Sequence, residues 1–122
     1  IQQQPFNEKW LSVQVKFSDI IPELVKVISE GDTEKDSFGR KVGRLKSIIT
    51  NKPSAIMILS DNKIINTSHP AQKDLVCSLD ILCIEKNGTF YFKNYPLKIG
   101  NSITFSTDLY SIAGTIIGID AR

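Results

Sequence analysis

The chain has 122 residues, 41% of them hydrophobic and 23% charged, with fifteen Lys and Arg against thirteen Asp and Glu for a net charge of +2. That is the length of one domain and the composition of a globular one, and so small a charge supplies no long-range field to gather a polyanion. No window holds the roughly 18 to 20 consecutive apolar residues a membrane-spanning helix needs, so composition excludes a disordered tail, a spanning helix, a collagen and a disulfide scaffold.

Residues 1–10, which include Gln2, Gln3, Gln4 and Pro5, read as an N-terminal linker or arm, and an anchor or signal ahead of Ile1 is compatible with them. Leu11, Val13, Val15 and Phe17 then alternate with Ser12, Gln14 and Lys16, a period of two that predicts a strand with one buried face. Ser18 or Asp19 offers a cap and Pro22 suits a first helical turn. Ile20, Leu24 and Ile28, with Ile21 and Val25, predict a short helix to about Ser29 or Glu30. Gly31 supplies the positive φ that ends helices, Asp32 to Ser37 leads through strand or loop to a turn at Phe38-Gly39, and Val42 to Thr50 predicts another strand.

Between Asn51 and Pro70 the patterning weakens. Lys52-Pro53 breaks structure, Ala55 to Leu59 reads as a short apolar strand, Ser60 to Lys63 is turn chemistry, and Thr67 to Pro70 reads as a surface loop. Asp74 to Glu85 returns to strand, and Asn87-Gly88 is a strong hairpin signal leading into Phe90, Tyr91 and Phe92. Pro96 interrupts, Ile103 and Phe105 alternate with Ser102, Thr104 and Ser106, and Ala113 to Ile119 forms a last strand.

The two cysteines, Cys77 and Cys83, are separated by an even number of positions on one predicted strand. They therefore share a face about 20 Å apart, too far for a disulfide. With Leu75, Leu79 and Ile81 beside them they read as small buried hydrophobes. Unpaired thiols mildly favour a reducing compartment without forbidding export.

Two segments echo one another. Glu30-Gly31-Asp32, followed twelve positions after its glycine by Gly43 and the strand to Ile48, resembles Ile99-Gly100-Asn101, followed fourteen positions after its glycine by Gly114 and the strand to Ile119. Leu11 to Phe17 and Cys77 to Cys83 stand as the leading strands of the two copies. A duplication and two hairpins alike by chance both fit this spacing. The duplication is the reading adopted: a mostly β (β-rich α+β) domain over 11–122, built as a small barrel or two packed sheets with an internal repeat and one short helix. Its halves are 11–50 and 74–120, joined by 51–73.

The order of these parts resembles the bacterial domain of unknown function family numbered 4330. The residues that carry the likeness are Glu30-Gly31-Asp32, Val42-Gly43, Lys73-Asp74-Leu75-Val76, Pro96 to Gly100 and Ser111 to Ile116; the most specific part runs from Lys98-Ile99-Gly100 through Thr107-Asp108-Leu109-Tyr110 to Gly114. The likeness implies an extracytoplasmic domain tethered by a membrane helix ahead of it. It implies no catalytic residues.

No constellation of catalytic residues emerges. The only imidazole is His69 and its neighbour Ser68 is merely adjacent in sequence, which does not give a nucleophile and base opposed geometry. Asp19 with Glu23 suits a helix N-terminus, and Asp32, Glu34 and Asp36 lack calcium-loop spacing. The glycines form neither a phosphate loop nor a dinucleotide fingerprint, so neither cofactor nor metal is expected.

Arg40, Lys41, Arg44 and Lys46, with Lys52 and Phe38 nearby, gather on one turn and strand and form the candidate ligand-binding patch for phosphate-bearing lipids, envelope polymers or nucleic acid. Basic residues also line exposed strands to discourage edge pairing. Phe90, Tyr91, Phe92 and Tyr95 resemble a base-stacking platform, but alternation divides Tyr91 from Phe90 and Phe92.

The expectation is a non-catalytic interaction or assembly module of the bacterial cell envelope, binding a protein or envelope polymer. The alternative is a soluble barrel that binds nucleic acid or another phosphate ligand through the basic strand. Open strand edges also leave room for pairing between copies.

Overall fold

The computed structural model describes residues 7–60 and 63–120, with side chains over 7–54 and 72–120. Strand β1 (Asn7–Ile20) is followed by helix α1 (Pro22–Val27) and by strands β2 (Thr33–Lys35), β3 (Lys41–Ser60), β4 (Lys63–Lys86), β5 (Thr89–Phe92), β6 (Tyr95–Pro96), β7 (Ser102–Ser106) and β8 (Ser111–Asp120). The eight strands form one antiparallel sheet in the order β2-β3-β4-β1-β8-β7, with β5 added to β4 and β6 to β5. Curled on itself, the sheet is a half-barrel, the β-rich fold that the alternating sequence implies.

The core is written in the odd positions of the two central strands. Leu11, Val13, Val15 and Phe17 of β1 meet Leu75, Cys77, Leu79, Ile81 and Cys83 of β4, every one at most 2% exposed. At Asp19, where φ is +57°, the register with β4 shifts between Phe17 and Ile20. The parity of burial therefore switches, and the even-numbered Ile20 turns inward at 6% exposure. Leu45, Ile103, Phe105, Ile112 and Ile116 complete the core from the flanking strands.

The internal repeat is built into the hydrogen bonds. Gly31 donates its N–H to Leu45 O at 2.7 Å, while Leu45 donates to Asp32 O at 2.8 Å; Gly100 donates to Ile116 O at 2.8 Å, while Ile116 donates to Asn101 O at 2.9 Å. Both glycines close four-residue turns, Ser29 to Asp32 and Lys98 to Asn101, at φ of +95° and +98°, a region where a side chain is strained. Strands β3 and β8 then cross over to pair with the opening strand of the other half, Leu45 opposite Leu79 and Ile116 opposite Val15. Each crossing carries a one-residue bulge at the same place, Lys46 in β3 and Ile117 in β8. The β1–β4 pairing is symmetric about Gln14 opposite Ser78, since Val13 faces Leu79 and Val15 faces Cys77. This symmetry relates Leu11–Phe17 to Leu75–Ile81, two residues earlier in β4 than the Cys77–Cys83 segment the sequence suggested. Helix α1 occupies the place in the first half that the β5–β6 hairpin takes in the second.

Several sequence expectations are corrected. The barrel does not close through backbone pairing: β2 and β7 end the sheet, and side chains bridge the seam. Glu34 of β2, 5% exposed, accepts the N–H of Ser106 at 3.0 Å and pairs with Lys93, which also donates to Thr104 O at 3.2 Å. The domain starts before residue 11, because Asn7 to Trp10 already pair with Glu85 to Leu82; residues 1–6 lie outside the described residues. Neither Ser18 nor Asp19 caps α1, since β1 runs on to Ile20 and Ile21 occupies the cap without a side-chain bond.

The weakly patterned middle is a ribbon, not a loop. Its backbone pairs Ser54 with His69 and continues to Ser60 opposite Lys63, beyond Lys73, the last partner of β1 on β4. At its base, Asp74 Oδ1 accepts the Asp19 N–H at 2.9 Å and the Ser54 hydroxyl at 2.8 Å.

Candidate functional site

A strand with one buried face presents its other residues to solvent, so the even positions of β1 and β4 form the outer face of the half-barrel. One row crosses four strands: Arg44 of β3 lies opposite Asp80 of β4, Asp80 opposite Ser12 of β1, and Ser12 opposite Asp120 of β8. The next row runs from Ser47 through Ser78 and Gln14 to Gly118. The Ser12 and Ser78 hydroxyls meet at 3.2 Å between the rows. Trp10, 48% exposed, stands one step along β1 on this same face.

Two depressions adjoin along the Ser12–Asp80 pairing. One, of about 290 Å³, is lined by Trp10, Thr33, Lys41, Arg44 and Asp80 with the glycines Gly31 and Gly43. The other, of about 420 Å³, is lined by Ser12, Gln14, Lys46, Ser78, Ile119 and Asp120 around Gly118. A Cβ at Gly118 would come within 3.2 Å of the Gln14 side-chain oxygen. Beneath this surface lie Leu11, Val13, Val15, Cys77, Leu79 and Ile81, all at most 2% exposed, so the face rests on packed side chains.

The four basic residues singled out in the sequence are divided by the fold. Lys41 and Arg44 line the depression beside Trp10, and Lys46, carried by the β3 bulge, lines the second. Arg40 is drawn away from both. It pairs with Glu8 at 3.0 Å and with Asp36 at 3.3 Å, at the rim of a charged notch of about 300 Å³ whose floor includes Val42, Leu82 and Ile84. The backbone N–H of Arg40, followed by that of Phe38 and the Arg40 side chain, holds the Asp36 carboxyl below its ordinary value, although its desolvation opposes this.

The three acidic residues between Gly31 and the Phe38 turn do three different jobs. Asp32 accepts hydrogen bonds from Ser29 N–H and from the Tyr110 hydroxyl, Glu34 seals the β2–β7 seam, and Asp36 organises the turn before β3. Among the described residues they do not converge as a cation site. The aromatic group is likewise divided: Phe92 is buried with Lys93 over its ring, Lys86 lies over Tyr91, and Tyr95 is 71% exposed. Burial pushes the Cys77 thiol up to about 11 and the Cys83 thiol to about 12, which leaves both protonated at neutral pH. The side chains of Ser68 and His69 lie outside the described residues, and the backbone there is strand.

Sequence reasoning did not point to Trp10, Asp80 and Asp120 as neighbours of Arg44 and Lys46. The signal for Trp10 was present, since it shares the even parity of Ser12, Gln14 and Lys16. The two aspartates came to this face only through pairing between distant strands. No family model, curated protein or solved structure matches the chain, so the site is read from its own chemistry.

Proposed function

We propose that this chain is a non-catalytic interaction module of the bacterial cell envelope that docks through the outer face of β3-β4-β1-β8. The observation that carries the reading is the row Arg44–Asp80–Ser12–Asp120 beside the exposed Trp10. Trp10 and Arg44 belong to the residue types that, with Tyr, carry most of the binding energy at recognition faces. The non-catalytic part is supported by the way Asp32, Glu34 and Asp36 are each committed to hydrogen bonds that hold turns or seams. The extracytoplasmic, tethered placement rests on the resemblance carried by Lys98 to Gly100 and Thr107 to Gly114.

Cosedimentation with purified bacterial envelope fragments tests this reading. The chain is expected to pellet with the fragments, and a Trp10→Ala, Arg44→Ala double variant to remain in the supernatant. A wild-type chain that stays in solution would overturn it. A phosphate-ligand reading draws support from Lys41 and Arg44 lining one depression, but Asp80 stands between them and β1, and Arg40 is held by two carboxylates. Binding to polyphosphate that falls steeply with salt and vanishes in an Arg44→Ala, Lys46→Ala variant would replace the envelope reading with that one.

A further inference from the structure

We propose that the outer face binds an extended neutral glycan, laid along β1 with one sugar ring against Trp10 and the next over the Ser12–Ser78 pair. The inference rests on the interaction reading above and names the class of its ligand.

The first ground is Trp10. A tryptophan is highly buried on average, yet this one stands 48% exposed on a strand whose opposite face is fully packed. Its flat apolar face offers stacking area and its indole N–H a donor. The C–H face of a pyranose ring is the matching surface, because it is apolar over the ring and polar at the edge.

The second ground is the kind of hydrogen-bonding groups beside it. Ser12 and Ser78 both donate and accept, Gln14 does so through its two amide atoms, Arg44 and Lys46 donate, and Asp80 and Asp120 accept. A sugar hydroxyl also does both, so it can satisfy every member of this set. A phosphodiester only accepts, and the carboxylates of Asp80 and Asp120 would meet it as like charges. The row holds one cation, Arg44, against two carboxylates, Asp80 and Asp120, with Ser12 between them, which suits an uncharged, polyhydroxylated ligand better than a polyanion.

The third ground is shape. The depressions of about 290 and 420 Å³ lie side by side, and from Trp10 to Gln14 the strand advances about 13 Å at roughly 3.3 Å per residue. The face is therefore long and shallow, fitted to a chain lying on it. Because it sits on central strands over Leu11, Val13, Leu79 and Ile81, all at most 2% exposed, little ordering is needed on binding.

Trp10 is the only tryptophan in the sequence, so its fluorescence reports this face alone. The test titrates the chain with cellotetraose, chitotetraose and maltotetraose, and separately with polyphosphate. At least one tetraose is expected to shift the emission, with affinity changing less than about twofold between roughly 50 and 500 mM salt. By calorimetry, Trp10→Ala should lower that affinity about tenfold or more, while Trp10→Tyr keeps most of it; Asp80→Asn should weaken binding with the melting temperature unchanged. The proposal is overturned if no tetraose moves the emission, if only polyphosphate does, or if Trp10→Ala binds as the parent does. A chain that sediments with envelopes yet ignores all three tetraoses refutes the glycan alone; one that does neither refutes the docking reading as well.

Discussion

The hydroxyl of Tyr110 donates a 2.5 Å hydrogen bond to Oδ2 of Asp32, tying the turn before β8 in the second half to the glycine corner of the first. The same carboxylate accepts the Ser29 N–H at 2.9 Å, so one side chain shapes its own corner and fastens the far hairpin to it. Replacing Tyr110 with Phe removes only the long-range bond. The variant should lose about 1.5 to 3 kcal/mol, the range for a hydrogen bond to a charged group, read as a lower denaturant midpoint with an unchanged slope.

Gly43 and Gly114 occupy equivalent places in the two halves but differ in the space around them. A Cβ on Gly114 would lie 2.6 Å from the Lys16 carbonyl oxygen and 2.7 Å from both Phe17 and Val15, whereas on Gly43 the nearest atoms, of Glu34 and Phe105, are 3.4 Å away. Gly114→Ala should cost about 3 kcal/mol by overpacking against backbone, and Gly43→Ala less than about 1 kcal/mol. Equal losses in thermal melts of the two variants would contradict this account of the asymmetry.

The seam between β2 and β7 depends on Glu34, which is 5% exposed, accepts the Ser106 N–H and pairs with Lys93. Glu34→Ala leaves the Ser106 N–H without its acceptor while Lys93 keeps its bond to Thr104 O, and should destabilise by about 1 to 3 kcal/mol. Hydrogen exchange at the Ser106 amide is expected to rise well before exchange in β1 or β4.

Alkaline stability follows from three groups. Burial raises the Cys77 thiol to about 11 and the Cys83 thiol to about 12, and burial followed by the Asp32 bond raises the Tyr110 phenol. A raised folded value means the native state keeps protons that the unfolded chain gives up. The stabilisation is therefore complete below the unfolded thiol value of about 8.5 and is lost as pH climbs through the folded values. Denaturation midpoints should be level from about pH 7 to 8 and fall between about 9 and 11. In a Cys77→Ala, Cys83→Ala variant the fall should begin only near the phenol value of about 10.

At low pH the relevant group is Asp74. The Asp19 N–H, then the Ser54 hydroxyl, hold its carboxyl below the ordinary value, and Lys16 adds to this while desolvation opposes it. Its contribution is present above the unfolded value of about 3.9 and disappears as pH falls through the lower folded value. Asp74→Ala should therefore be less stable than the parent at pH 7 by about 1.5 to 3 kcal/mol, and the two should converge in acid titrations toward pH 2.

What the sequence determined by itself is local: the buried parity of Leu11 to Phe17 and of Leu75 to Cys83, the Asn87-Gly88 hairpin, and the two corners that need Gly31 and Gly100 at positive φ. These follow from side-chain period and backbone sterics, which act between near neighbours. Tertiary structure decided the rest. Which strands pair, where the bulges at Lys46 and Ile117 fall, and how far β3 and β4 extend depend on ladders between residues far apart in sequence, made by backbone groups that nearly every residue possesses. For the same reason Arg40 could be counted with Arg44 in the sequence yet be captured by Glu8, 32 positions away, while Trp10 and Asp80 came to stand beside Arg44 only when β1, β4 and β3 were laid side by side.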